Sequence, residues 1–494
     1  MKLAAPPVLK LLLQSPLSDG RWPTRHVLLA MPAPSGRRLP AALSGPLRVA
    51  LQMWMKRRDV PLAKLADQVC VLEVDGGTLV SLCWIDARAS AFKRGTALRK
   101  ALAPLLAEHP QALTLAVEGL NARDLELAVY ATLVNAAALP QRKSVPGPAA
   151  LRLLQLMVPQ RPAAGVLERA SALAAGNTLA RALTLLPPNE LTPAAYRQQV
   201  KAMAAAAGWK HGELDMNALR KRKAGAFVAV AQGSKPEDAA IVHLVLKAPG
   251  ARRKLALVGK GICFDTGGHN IKSARYMYGM HEDMNGSAVA LGALHALAAL
   301  KLPLEIHCFL ALAQNHLSPA AYKQNDVITA LNGTTIEIVH TDAEGRMVLA
   351  DTLTLASQVK PDLTIDFATL TGSMVGALGT RQSGVFSSAP GLEALVQTAS
   401  LHSGERMVCF PVDDDYDAAL DSKIADIKQC LQEGEADHIL AQRFLARFAG
   451  KQDWLHVDLS SYRNEGGLGA VSSDVNGFGV VWTVALVEAW LAMN

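Results

Sequence analysis

Aromatic side chains make up only 5% of the 494 residues and charged ones only 19%, while half of the chain is hydrophobic and the mean hydropathy is +0.17. That balance excludes disorder as the main state and supplies apolar surface for large cores. The six cysteines (Cys70, Cys83, Cys263, Cys308, Cys409 and Cys430) lie far apart, and no C-x-x-C pair occurs. Neither a disulfide framework nor a cysteine-rich zinc site is indicated, and reduced thiols in a cytoplasmic protein are expected. No H-E-x-x-H, no G-x-S-x-G and no G-x-x-x-x-G-K-[ST] sequence is present, which removes support from three common hydrolase and nucleotide-binding classes. Long apolar runs are missing too. Residues 480–493 form the most apolar stretch, but it contains Glu488 and falls short of the roughly 20 residues that a membrane span needs. It reads as a buried C-terminal helix, with no membrane partner. Near the start, Pro6, Pro7, Gln14 and Pro16 interrupt the apolar run 11–13, so no export signal is expected.

Charge is unevenly spread. Residues 1–170 hold 22 Lys+Arg against 11 Asp+Glu, whereas the remainder holds 28 against 32. A basic half of this kind keeps open a nucleic-acid partner, with Arg37, Arg38, Lys56, Arg57 and Arg58 as candidate phosphate contacts. A solvated basic surface explains the same asymmetry, and no helix-turn-helix or RNA-binding signature accompanies it.

Along the chain, strand-like runs at 26–31, 68–74, 79–85 and 113–117 alternate with helix-like runs at 91–107 and 122–138. A Pro-, Gly- and base-rich segment, 141–165, contains a Leu-rich stretch that reads as helical, and a helix follows from 165 to about 186, where Pro187 and Pro188 stop it. A longer alternation comes next. Strands are expected at 226–231, 240–247, 254–259, 304–312, 337–340, 363–367 and 455–459. Helices are expected at 193–208, 285–300, 346–358, 392–402 and 437–448. Two α/β units follow from this: a smaller N-terminal domain (1–164), joined by a linker helix (165–190) to a larger C-terminal domain (191–494) around a central, mostly parallel sheet.

Ligands of open α/β sheets bind beyond the carboxyl ends of the strands. Two polar clusters stand there. One is the run from Gly259 to Gly268, containing Lys260 and Asp265, with Lys272 and Asp283 after it; the other is Thr341-Asp342-Ala343-Glu344-Gly345-Arg346. Four carboxylates meeting at one place would repel one another unless cations neutralised them, so metal ions are the economical answer. Oxygen ligands suit zinc, manganese, magnesium or cobalt without selecting sharply among them, and bridging carboxylates favour a binuclear site. Two ions a few ångströms apart suit hydrolysis of an amide or ester.

The same motifs resemble those of the leucine aminopeptidase (cytosol aminopeptidase) family, together with Pro187-Pro188-Asn189, Leu191-Thr192-Pro193, Gln232-Gly233-Ser234 and Ala368-Thr369-Leu370-Thr371-Gly372. The resemblance covers roughly residues 170–494. It implies a metal-dependent aminopeptidase that releases N-terminal amino acids, with a leucine-like preference, from peptides with a free N-terminus. By resemblance, Asp265 and Glu344 contact both of two divalent ions, Asp342 completes one shell, and Lys260 and Asp283 complete the other. Zinc or manganese is expected, with magnesium and cobalt compatible. Lys272 matches a catalytic lysine, and Arg346 matches an arginine that holds bicarbonate. Met280, Thr369, Leu370 and Gly372 match positions lining the pocket for the first side chain. A homohexamer is also implied.

The chain departs from the family pattern at several places. His340 stands where Asn commonly precedes the Thr-Asp-Ala-Glu-Gly-Arg run, and Asn285 replaces the first Gly of a pair. Glu435-Ala436-Asp437-His438 occupies a region of small residues, and Ser460-Ser461-Tyr462 replaces an Ala-Gly-like stretch. Taken singly, His269, His281 and His340 read as neighbours of the site rather than as ligands.

Overall fold

A computed structural model describes residues 5–17, 22–34, 39–40, 43, 45–74, 76–145 and 150–493. Arg37 and Arg38 lie outside the described residues. The chain is an α/β protein built on two main sheets. The first holds six strands: β1 (Val8–Leu13), β2 (His26–Pro32), β3 (Cys70–Val74), β4 (Thr78–Ile85), β5 (Ala112–Val117) and β6 (Leu153–Val158), in the order β1-β6-β5-β2-β4-β3. All its pairings are parallel except β3 with β4. The Leu-rich stretch expected as a helix is therefore β6. It lies between two parallel partners, and four of its six side chains are buried, a demand that local composition does not reveal.

The second sheet holds eight strands: β7 (Lys210–Asp215), β8 (Ala240–Lys247), β9 (Arg253–Asp265), β10 (Leu304–Asn315), β13 (Leu363–Ala368), β14 (Ser383–Ser387), β15 (Met407–Cys409) and β17 (Asp453–Asp458). Its order is β15-β14-β17-β13-β9-β10-β8-β7. The central run β17-β13-β9-β10 is parallel, and antiparallel strands flank it. A small third sheet joins β11 (Val327–Thr329), β12 (Thr335–Glu337) and β16 (Ile427–Lys428). The strand expected at 337–340 is thus earlier and shorter, as β12.

Local chemistry explains the clearer helix limits. Helix Pro193–Ala207 has Pro at its first position, its N-cap Thr192 accepts the Ala195 N–H, and Gly208 closes it in the left-handed region at φ 71°. One expectation fails in kind: 226–231 is not a strand but part of helix Gly225–Ala231. A short apolar run has no periodicity that separates the two states. The helix is selected from a distance, because buried Asp351 accepts the Phe227 N–H at 2.8 Å.

Helix Val166–Thr184 lies between the two sheets' layers. Its Gly176 approaches the Gly292 carbonyl so closely that a Cβ would stand 2.4 Å away. A single apolar cluster runs from Leu28 and Leu115 in the first sheet, through Leu173 and Leu183 of this helix, to Leu257 and Leu310 in the second. C-terminal helix Val480–Leu491 is buried in the same cluster through Trp482 and Leu486. Among the described residues, no helix is long and apolar enough to cross a membrane.

Candidate metal centre and active site

The parallel strands β9 and β13 end at an open cavity of about 520 Å³. Lys260, Asp265, Lys272, Met280, Asp283, Asp342, Glu344, Arg346, Thr369, Leu370 and Gly372 all line it. The structure therefore brings together every site residue expected from the sequence.

Lys260 and Asp265 both sit on β9, five residues apart. In a regular strand an odd spacing sends side chains to opposite faces. The register against β10 resolves this: Ala313 pairs with Ile262 but Asn315 with Asp265, so β9 carries one residue more than its neighbour. This bulge restores the phase, and both side chains reach the same cavity. Asn315 holds the turn, donating from Nδ2 to Asp265 Oδ1 (2.8 Å) and to the Thr341 carbonyl (3.0 Å), while the Gly267 N–H donates to the same Asp265 oxygen (2.9 Å).

Asp283 closes a short 3-10 turn, Met280–Glu282, just ahead of helix Asn285–Leu300. That helix sits against bare backbone: a Cβ on Gly259 would stand 2.4 Å from Ser287 Cα, and one on Gly286 would stand 2.2 Å from the Phe367 carbonyl oxygen. Glu344 opens helix Glu344–Gln358. Beside it, a Cβ on Gly345 would meet the Lys260 ammonium at 2.8 Å.

Lys260 is 3% exposed, and its Nζ lies 2.8 Å from Glu344 Oε1, 2.9 Å from Asp283 Oδ2 and 2.9 Å from the Thr369 carbonyl. Lys272 Nζ lies 2.9 Å from Asp265 Oδ2 and 2.5 Å from Asp342 Oδ1. Burial opposes the charge on Lys260, but the carboxylates of Asp283, Glu344 and Asp265 outweigh it and hold the ammonium well above the ordinary lysine range. Lys272 is raised by the same contest. Burial also pushes Asp283 and Asp342 above the usual carboxylate range, and in both the neighbouring Glu344 and Asp265 add to the rise. Two lysines thus face four carboxyl groups, too many negative charges for two ammonium groups to balance, so that without further cations the crowding favours protons on Asp283 and Asp342. Oxygens of Asp265, Asp342 and Glu344 all lie within 4.8 Å of one another. Asp283 Oδ2 is buried and, although close to Lys260, makes no hydrogen bond. Crowded hard oxygens with a spare acceptor are a donor set that fits divalent cations.

Several partners in the site were not evident from the sequence. Thr369 Oγ1 donates to Asp283 Oδ1 (2.6 Å), and buried Asp458 accepts from the Leu370 N–H (3.0 Å) and Thr371 Oγ1 (2.7 Å). Arg346, 2% exposed, donates from Nη2 to both oxygens of Asp437 (2.8 Å each) and from Nη1 to the Gln429 carbonyl (3.1 Å). His269 bonds the Tyr322 carbonyl and His340 accepts the Asp342 N–H; no histidine joins the oxygen cluster among the described residues. Position along β10 and β17 was the available signal for Asn315 and Asp458, since both end strands at the sheet's carboxyl edge.

Known proteins similar to the chain point to one family. The sequence pattern of the Cytosol aminopeptidase family, catalytic domain, matches residues 178–484. The chain is 39% identical over 338 residues to a probable cytosol aminopeptidase of Parasynechococcus marenigrum, spanning 67% of this chain and 68% of that one. It is 38% identical over 320 residues to a probable cytosol aminopeptidase of Wolbachia pipientis, spanning 64% of each. In three dimensions it is similar to the bottromycin maturation enzyme BotP in complex with Mn, with a TM-score of 0.80 and 29% identity over 94% of this chain and all of that one. None of these likenesses supports the nucleic-acid alternative. Lys56, Arg57 and Arg58 form the last turn of helix Gly45–Arg58, where cations complement the helix dipole.

Proposed function

Because the chain belongs to the cytosol aminopeptidase family, we propose that it is a two-metal aminopeptidase releasing N-terminal residues, leucine-like ones preferred, from peptides with a free amino terminus. The observation that carries this reading is the meeting of four carboxylates and two lysines, drawn from separate segments, in one cavity at the carboxyl edge of the sheet. In this reading residues 191–494 bear the chemistry, and residues 1–164 form the smaller domain, joined to it by the linker 165–190, which carries helix Val166–Thr184.

Asp265 and Glu344 would each hold both ions, Asp342 would complete one shell, and Lys260 with Asp283 the other. Manganese is the first choice for reconstitution, since BotP was obtained with Mn; zinc, magnesium and cobalt suit the same oxygens. When bound, two such cations supply a Lewis acid for the scissile carbonyl and a water of lowered pKa. The protein's own groups do the rest. Asp283 and its Thr369 partner fix the end of the cavity where the substrate's amino group would sit. Lys272, held by Asp265 and Asp342, brings a positive charge to the place where the carbonyl oxygen becomes negative. Met280, Thr369, Leu370 and Gly372 would line the pocket for the first side chain. To hold the ions, Lys260 and the crowded carboxylates would have to give up the protons they otherwise keep. Assembly as a homohexamer and a cytoplasmic location follow from the resemblance; a ~52 kDa particle in light scattering would contradict the first.

The test is a panel of unlabelled peptides and their N-acetylated counterparts, incubated with metal-reconstituted protein with and without chelator. Free peptides should lose one residue at a time, and only without chelator. Asp265→Ala and Glu344→Ala should lose both turnover and bound metal. Cleavage of the acetylated peptides, or full turnover in either variant, overturns the assignment.

A further inference from the structure

The family resemblance implies a bicarbonate ion at Arg346, and in this chain the guanidinium already holds a carboxylate at its Nη2. Its Nη2 is occupied by both oxygens of Asp437 and one hydrogen of its Nη1 by the Gln429 carbonyl, while Nε is buried without a partner. Asp437 lies 91 residues from Arg346 in sequence and lines the same cavity. It comes from the Glu435-Ala436-Asp437-His438 stretch, where the sequence departs from the family pattern.

The local backbone is bent to deliver this carboxylate. Ala436 is held in the left-handed region at φ 56°, which is costly for a residue with a Cβ, and it caps helix Asp437–Ala446. His438, next along, is tied through its N–H to Ser373 Oγ (2.8 Å). From the other side, Gln429 is pinned by its own amide, donating to the Ala343 carbonyl (2.9 Å) and accepting from the His340 N–H (3.2 Å). A carboxylate and a bicarbonate ion present an arginine with the same planar pair of oxygens. Both cannot hold the same nitrogen.

We propose that Asp437 is a built-in substitute for the bicarbonate ion, a positioning residue that fills the anion site at Arg346 so that the enzyme works without the dissolved anion. The inference rests on the aminopeptidase reading for its consequence, but the binding it describes is independent of turnover. The orientation of Arg346, on the same helix as Glu344 and two residues beyond it, is what the Asp437 carboxylate secures.

Two measurements test this. In the first, carbon-13-labelled bicarbonate is titrated into metal-free protein and its NMR line width followed. Wild type should show no saturable binding, Asp437→Ala should show it, and the double variant Asp437→Ala/Arg346→Ala should lose it. In the second, turnover of manganese-loaded enzyme is followed in decarbonated buffer as bicarbonate is added. Wild type and Asp437→Glu should stay flat, whereas Asp437→Ala should begin lower and rise by about tenfold or more, the scale expected when a group assisting the chemistry is restored. Should Asp437→Ala melt early, Asp437→Ser replaces it in both arms. Saturable binding to wild type, stimulation of wild type, or failure of both Asp437→Ala and Asp437→Ser to bind would overturn the proposal. If no protein cleaves any peptide, the aminopeptidase reading fails, and the NMR arm still decides the role of Asp437.

Discussion

Replacing Gly286 by Ala probes the closest joint between scaffold and site. The added methyl would stand 2.2 Å from the Phe367 carbonyl oxygen, where ordinary contact begins at 3.4 Å, so helix and strand must part by about 1.2 Å. Phe367 is in β13, a central strand paired on both sides, and its carbonyl cannot swing away. The helix must move instead, and Asp283 lies three residues before Gly286 on the same approach. Alanine gains at most about 1 kcal/mol over glycine in a helix, whereas forcing an extra carbon into a packed interior costs about 1–3 kcal/mol. Net destabilisation of up to about 2 kcal/mol is expected, read as a lower melting temperature. The larger effect should be on chemistry, because a shift near 1 Å in a catalytic group can cost about 100-fold in rate. Steady-state hydrolysis of a Leu-initiated peptide at saturating manganese, with metal content by mass spectrometry, reads it out. Gly376→Ala is the control: a Cβ there meets nothing within 4 Å, and it should match wild type in both assays. Wild-type kcat and full metal content in Gly286→Ala would refute the argument that this close approach positions Asp283.

Other outcomes follow from single features. Burial pushes the Asp351 carboxyl up to about 6, despite N–H donors from Phe227 and Leu331. Its folded value exceeds its unfolded one, near 3.8, so its contribution is complete below that pH and is lost as pH rises through about 6, by up to about 3 kcal/mol. Urea midpoints of wild type should therefore fall more steeply than those of Asp351→Asn over that window; parallel curves would sink the assignment. Removing metal with a chelator should stop hydrolysis and lower the melting temperature, and manganese at about 100 times its Kd should return about 2.7 kcal/mol. An unchanged melting curve on chelation would mean that no ion is bound in the folded state. Lys272→Ala should lower kcat about 100- to 1,000-fold with little change in KM, as expected for a charge acting mainly in the transition state. A rise in KM at constant kcat would place Lys272 in ground-state binding instead.

The candidate site was legible because its residues cluster in two short runs at strand ends, where the sheet's topology puts ligands, and because their types make sense together only around cations. Relations between distant segments were not legible. The pairing of Arg346 with Asp437 spans 91 residues, and Asn315 reaches Asp265 only through strand pairing. The helix at Gly225–Ala231 depends on a carboxylate more than a hundred residues away. Likewise β6 is a strand because two partners hold it, although its Leu-rich composition suits a helix equally well. Local propensity decides such elements only when tertiary context is silent.

The surplus residue in β9 makes this strand intolerant of any change in its length. Deleting or duplicating one residue between Lys260 and Asp265 reverses the facing of Asp265 against Lys260. Designers grafting this centre onto another sheet must copy the irregular pairing along with the ligands; a flawless ladder would turn either Lys260 or Asp265 to the wrong side.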